Sequence, residues 1–280
     1  MAIINLNSKF YEDDEKVLSV NNRAFRYGDA LFETIRFYDG KVLFLEEHLN
    51  RLKSGANTLK MDFKPKFDIS WLRHQIINLI EKNSIKNDAR IRLTVFREEG
   101  GLYTPKSNGI SYLIEVKELE HNGFVLNSDG LTIGLYDEFK KPANTISNLK
   151  STNCIYLIQA GIYTKENNLD DCLLINSDNN IAEAISSNVF IVKNNKIYTP
   201  DLYSACVDGI MRKQIIKIAK LLGIQIQEIE LTTKDIETAD EIFLTNAING
   251  IKWIQEFRSV IYDNTTSKHL IKELNQIARH

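Results

Sequence analysis

The chain has 280 residues, 43% hydrophobic and 26% charged, with a formal net charge of −2. This is a globular composition, and with no basic block it argues against nucleic acid or an anionic membrane as a partner. The first residues show no basic-then-apolar signal pattern, no apolar stretch is long enough to span a bilayer, and Cys154, Cys172 and Cys206 lack metal-like spacing. Reduced thiols, no metal and a cytoplasmic location are therefore expected.

Residues 18–29 read as a loop, with two arginines and an aromatic crowded before Gly28. Alternation from 32 to 38 predicts a strand, Asp39-Gly40 a hairpin turn, and 41–45 the return. Leu45, Leu49, Leu52, Ala56 and Leu59 share one helical stripe, which makes 46–59 a helix with His48 at the stripe's edge and Arg51 well off it. A second helix spans 70–82. Strand 90–97 turns Ile91, Leu93 and Val95 one way and Arg90, Arg92, Thr94 and Phe96 the other. Two arginines on one strand face, Arg90 and Arg92, can form an anion-binding wall, and the Gly-rich loop 98–105 can cover it. After strand 110–116 the polar run 118–123 marks a boundary. Residues 1–118 form one α/β domain, 119–123 a linker and 124–280 a second domain.

That second domain begins with strands at 124–126 and 131–135, followed by an irregular polar segment, 141–152. A helix over 154–165 and a strand over 172–176 come next. Glu183 reads as a lone acid in a short polar turn. Strand 188–192, an Asn-Asn turn and strand 196–199 lead to Asp208-Gly209, directly before a helix over 211–222. The remainder is strand 224–229, a short helix over 233–238 with a capping threonine, strand 241–245, a tight turn over 246–250, more β structure over 251–262 and a helix over 267–278. Strands and helices mix without steady alternation, which indicates an α+β chain rather than a doubly wound sheet.

Four features suit one kind of chemistry. Lys150 can form an imine with an aldehyde cofactor such as pyridoxal phosphate. Glu183 can hold a proton on a pyridine nitrogen. Gly209, Ile210 and Met211 open a helix whose N–H groups can seat a phosphate, and Arg51 offers the same phosphate a planar pair of donors. The turn at Asn246 and Ala247 can add N–H donors. Each feature alone reads more readily as a solvated side chain or plain turn chemistry, and His48 as a packed or capping histidine. The chain has no GxGxxG, P-loop, Ser-His-Asp signature or metal cluster.

The spelling and order of the motifs narrow this further. RYGDALFETIRFYDG (26–40), EEHLNRL (46–52), NLKSTN (148–153), AEAISSNVF (182–190), YTP…DGIMR (198–212) and FLTNA (243–247) resemble the class IV, or fold type IV, pyridoxal phosphate enzymes. That family includes branched-chain aminotransferase, D-amino acid aminotransferase and aminodeoxychorismate lyase. The resemblance runs from about 21 to about 254. It implies two α/β domains with pyridoxal 5'-phosphate between them, usually in a homodimer, and amino-acid and keto-acid substrates. It further implies that Lys150 forms the Schiff base and moves the proton, that Glu183 partners the ring nitrogen, and that Arg51 and the N–H groups of Ile210 and Met211 bind phosphate. Ser187 and Asn188 match the turn beside the ring. Tyr27 and Phe32 match pocket-wall positions, which in this family can reach across a dimer interface.

The subtype rests on departures from the motifs. Leu102 and Thr104 fall where D-amino acid aminotransferases carry an Arg-x-His pair. Ile155 replaces a tyrosine that some members place five residues after the lysine. Ala247 replaces a phosphate-binding threonine, leaving only its backbone N–H. An amino-acid aminotransferase is the first reading and aminodeoxychorismate lyase the alternative. Arg90, Arg92 and Arg97, with Arg26 behind them, are the candidates for gripping substrate carboxylates.

Overall fold

The structure is a computed structural model that describes residues 1–63, 67–120 and 123–279. Residues 121–122 of the expected linker lie outside that range. The chain divides into two compact units: Met1–Gly123 with Leu149–Asn153, and Phe124–Asn148 with Cys154–His280.

In the first unit, β1 (Ile3–Leu6) and β2 (Lys9–Glu12) form a hairpin that sequence reading missed. Its turn is Asn7-Ser8, with φ of 53° and 69°, rather than a glycine-bearing pair. The stretch expected to be loop contains one helical turn, α1 (Arg23–Tyr27), capped by the Asn22 side chain. Strand β3 (Ala30–Tyr38) turns at Asp39-Gly40, both with positive φ, into the short β4 (Lys41–Val42). Helices α2 (Leu45–Thr58) and α3 (Ile69–Lys82) follow, then β5 (Ala89–Arg97) and β6 (Ile110–Glu118). The strands make one sheet in the order β2-β1-β6-β5-β3-β4. The expected stripe of α2 packs Leu45, Leu49, Leu52 and Ala56 against Leu31, Ile35, Ile91 and Leu93. This core fixes the phase of β3 and β5, and so decides which of their side chains face away from it.

The second unit opens with β7 (Leu131–Lys141). The strand expected at 124–126 is absent, because side chains there replace ladder bonds. Phe124 exchanges both backbone bonds with Asn275, and Asn127 bonds the backbone of Trp253. Helix α4 (Ile155–Glu166) joins β7 to a parallel β8 (Asp171–Asn176). Then come β9 (Ile181–Ala184), β10 (Asn188–Lys193) and β11 (Lys196–Pro200), the last two joined by Asn194-Asn195, both at positive φ. The chain continues through α5 (Ile210–Leu221), β12 (Ile226–Ile229), α6 (Thr233–Glu237), β13 (Glu241–Asn246), β14 (Gly250–Phe257), β15 (Val260–Ile261) and α7 (Thr265–Arg279). The sheet runs β12-β11-β10-β13-β14-β7-β8-β9, with β15 on β14. Parallel and antiparallel pairs coexist in it, which makes the chain α+β.

Candidate active site

In the first unit the chemistry gathers around Phe32. Residues Leu149–Asn153 belong to this unit although their neighbours in sequence belong to the other. Their backbone is clamped to β3, with Phe32 N–H donating to Lys150 O at 2.9 Å and Thr152 N–H to Ala30 O at 3.1 Å. Thr152 Oγ1 and Asn153 Nδ2 both donate to Gly28 O, at 3.0 and 3.1 Å. Gly28 itself sits at φ +63°, and a Cβ there would meet Asn153 Oδ1 at 2.7 Å. So held, Lys150 places Nζ 4.6 Å from the centroid of the Phe32 ring. The Arg92 guanidinium lies 4.1 Å from the same centroid.

Glu33 follows Phe32 on β3 and points to the opposite, buried face. Its carboxylate takes both Nε and Nη2 of Arg51, with Nε at 2.8 Å, and its Oε2 lies 2.6 Å from His48 Nδ1. Burial alone would raise the Glu33 carboxyl, but the Arg51 charge and the His48 contact outweigh it and hold the group at about 2. His48 moves the other way. Burial is the largest influence and lowers it, Glu33 opposes this, and the charges of Arg51 and Lys150 add to the lowering, so the imidazole is neutral near pH 7. His48 Nε2 is buried and has no hydrogen-bond partner among the described residues.

This arrangement has a pH consequence. A carboxyl held below its ordinary 4.5 stabilises the fold fully above that pH, and the stability is lost as pH falls towards 2. Glu33→Gln is expected to lower the melting temperature at pH 7 and to flatten the acid limb of a melting-temperature profile. An acid limb as steep as the wild type's would contradict the assignment.

The other arginines are placed differently. Arg97 is buried, donating Nε to Asp29, Nη1 to Asn108 Oδ1 and Lys60 O, and Nη2 to Leu59 O. Its guanidinium is committed to holding the fold. Arg90 is exposed, and so is Arg26, whose Nε donates to Val20 O. Tyr27 packs against Tyr103 of the 98–105 loop, with ring centroids 5.6 Å apart. Arg23, which sequence reading passed over, ties that loop down by donating to Gly100 O and Leu102 O while pairing with Asp29.

In the second unit, Glu183 is not in a turn. It lies in β9, is buried, and follows Ile181 and Ala182 into the sheet. The alternation of small and apolar neighbours there is a strand pattern. One Glu183 oxygen accepts from Lys141 Nζ at 2.5 Å and the other from Val207 N–H at 2.9 Å. Both partners were missed in the sequence. Glu183 also acts at a distance: Tyr156 is raised, first by burial and then by the Glu183 charge.

The remaining second-unit candidates come together around β10 and β13. Asn188 pairs with Thr245 in register and donates Nδ2 to Val207 O at 2.8 Å. Gly209 caps α5 with no side-chain bond, and Ile210 and Met211 are buried at its first turn. A Cβ on Gly209 would come within 1.9 Å of Asn188 Oδ1, which only glycine avoids. Asn246 Nδ2 donates to Ser187 Oγ at 3.0 Å, while its Oδ1 closes the turn beyond Ala247 by accepting from the N–H groups of Ile248 and Asn249. Thr245 Oγ1 is buried with no hydrogen-bond partner among the described residues.

Comparison with known proteins gives three kinds of likeness. The family described as amino-transferase class IV matches residues 30–257. A Methanocaldococcus jannaschii protein, provisionally named branched-chain-amino-acid aminotransferase, is 31% identical over 98% of this chain and 94% of its own. Aminodeoxychorismate lyase of Bacillus subtilis is 26% identical over 95% of this chain and 90% of its own. Among solved structures, the branched-chain aminotransferase of Thermoproteus uzoniensis with norvaline superposes with a TM-score of 0.89, covering 99% of this chain and 94% of its own at 22% identity. That last likeness is one of fold.

Proposed function

This chain belongs to the class IV aminotransferase family, and on that premise we propose that it is a pyridoxal 5'-phosphate enzyme that moves an amino group between an amino acid and a 2-keto acid. The observation that carries the reading is the clamped Lys150, whose amine is kept over the Phe32 ring by backbone bonds to β3. The donor sets fit such a cofactor. A primary amine suits its aldehyde, a buried carboxylate suits its ring nitrogen, and an uncapped helix start after Gly209 suits its phosphate. When bound, the cofactor supplies an aldehyde for the amine and a ring that draws electrons from the substrate Cα.

The residues then have separate tasks. Lys150 Nζ would hold the aldehyde of the cofactor and, when freed from it, would carry the proton taken from the substrate Cα. Glu183 holds a proton on the ring nitrogen. Ile210 and Met211 would offer backbone N–H groups to the phosphate, and Ser187, Asn188, Asn246 and Ala247 shape the turns beside the ring; in the first unit Arg51, oriented by Glu33, is the candidate guanidinium for a phosphate. Arg92 is the substrate-carboxylate residue of choice, because it shares the Phe32 ring with Lys150 whereas Arg97 is engaged in the fold. Tyr27 and Phe32 line the pocket wall.

A panel of L- and D-amino acids tests the activity. An aminotransferase converts the visible band of the bound cofactor to the pyridoxamine form with at least one of them. A lyase leaves the band unmoved by every amino acid and releases pyruvate from aminodeoxychorismate; the 26% identity to the Bacillus subtilis lyase keeps that second reading in play.

The partner is a second copy of the chain. Helix α4 is apolar on both sides. Tyr156, Leu157 and Tyr163 pack inward against Tyr136 and Leu174, yet Ile155, Ile158 and Ile162 are 75%, 59% and 45% exposed. These isoleucines lie three and four residues apart, so they form one stripe that needs a cover. The double variant Ile158→Asp, Ile162→Asp is expected to elute as a monomer in gel filtration where the wild type elutes as a dimer. A dimeric double variant would contradict this.

A further inference from the structure

Lys141 is among the least exposed charged residues of the chain, at 1% of its surface, whereas Lys140 beside it is exposed and donates to Asn179. The β7–β8 pairing shifts register between Tyr136 and Lys141 and resumes with Lys141 opposite Asn176, where Ser177 N–H donates to its carbonyl. Its side chain runs inward to Glu183 Oε1 at 2.5 Å and passes 5.8 Å from the centroid of the Tyr156 ring. Burying an ammonium is costly, and an apolar side chain of similar length would serve packing as well or better. Its presence here therefore points to a use for the charge. Glu183, for its part, is gripped from two sides, by the ammonium on Oε1 and by Val207 N–H on Oε2. A buried carboxylate persists as an anion only when paired in this way.

We propose that Lys141 is a positioning residue whose buried ammonium holds the Glu183 carboxylate in place, so that it faces the nitrogen of a bound pyridine ring and that nitrogen carries a proton. The inference rests on the reading of Glu183 as the ring-nitrogen partner. With Lys141 replaced by a neutral side chain, Glu183 Oε1 loses the ammonium that fixes it and the ring nitrogen is left neutral. The ring then draws electrons less strongly, although Lys150 is untouched.

The test is the nitrogen-15 chemical shift of pyridoxal 5'-phosphate labelled at the ring nitrogen and bound to the whole protein. Wild type, Lys140→Met and Lys141→Arg are expected to give the protonated-ring shift. Lys141→Met and Lys141→Gln are expected to move the signal to the neutral-ring position. The glutamine variant keeps a donor for Glu183 while dropping the charge, and it serves if the methionine variant does not fold. A protonated-ring shift in either neutral variant overturns the proposal. Glu183→Gln separates the two layers of the argument. If it leaves the wild-type shift unchanged, or if wild type does not take up the cofactor, the reading of Glu183 fails and takes this one with it. If Glu183→Gln moves the shift and the Lys141 variants do not, only the role of Lys141 fails.

Discussion

Lys150→Ala is expected to lower the rate of amino-group transfer by about 10⁴-fold, the upper range for loss of a positioned proton-transfer group. It should also abolish the visible band of cofactor joined to the protein. The size of the effect follows from the two tasks given to one amine. In the proposed function Lys150 both holds the cofactor aldehyde and carries the substrate proton, and no other lysine is clamped beside Phe32 among the described residues. The fold should survive the change, since the segment is secured by backbone bonds and by Thr152 and Asn153 rather than by the lysine side chain. Rate and absorption spectrum measured on the same folded sample check this, and a variant that keeps the band would contradict the role of Lys150.

Glu183→Gln is expected to lower kcat on the order of 10²-fold, as does removal of other fixed electrostatic groups that act on the developing charge. A neutral amide cannot balance a proton on the ring nitrogen. The substitution also strands the Lys141 ammonium, and breaking a buried pair from one side costs about 3–5 kcal/mol of stability. The signature is therefore double: slower turnover and a lower melting temperature. The companion change Lys141→Met should restore much of the stability to Glu183→Gln without restoring the rate. A double variant that recovers the rate would contradict the electrostatic argument.

Much of this chain was legible because its local signals agree. The stripe of α2, the alternation of β5 and the Asp39-Gly40 and Asn194-Asn195 turns each state one structure, and the core uses them as written. Glu33 carried a signal that was overlooked, since it falls on the same strand phase as Leu31 and Ile35, and an acid on a core phase needs a partner. Glu183 was singled out for its carboxylate but placed in a turn, because one acid among small residues hides a short buried strand. Lys141 was not legible. Nothing in Lys140-Lys141 says which lysine turns inward, because that depends on where the β7–β8 pairing breaks. Arg97 falls on the strand phase of Ile91, Leu93 and Val95, opposite Arg92, so the alternation of β5 already put it with the core, and the surrounding carbonyls show how it holds the fold.

The account turns on which amine takes the cofactor. Cofactor-loaded protein reduced with borohydride, digested and mapped by mass spectrometry is predicted to carry the phosphopyridoxyl group on Lys150. The group on Lys141 or any other lysine, or its absence from protein saturated with cofactor, would contradict the account.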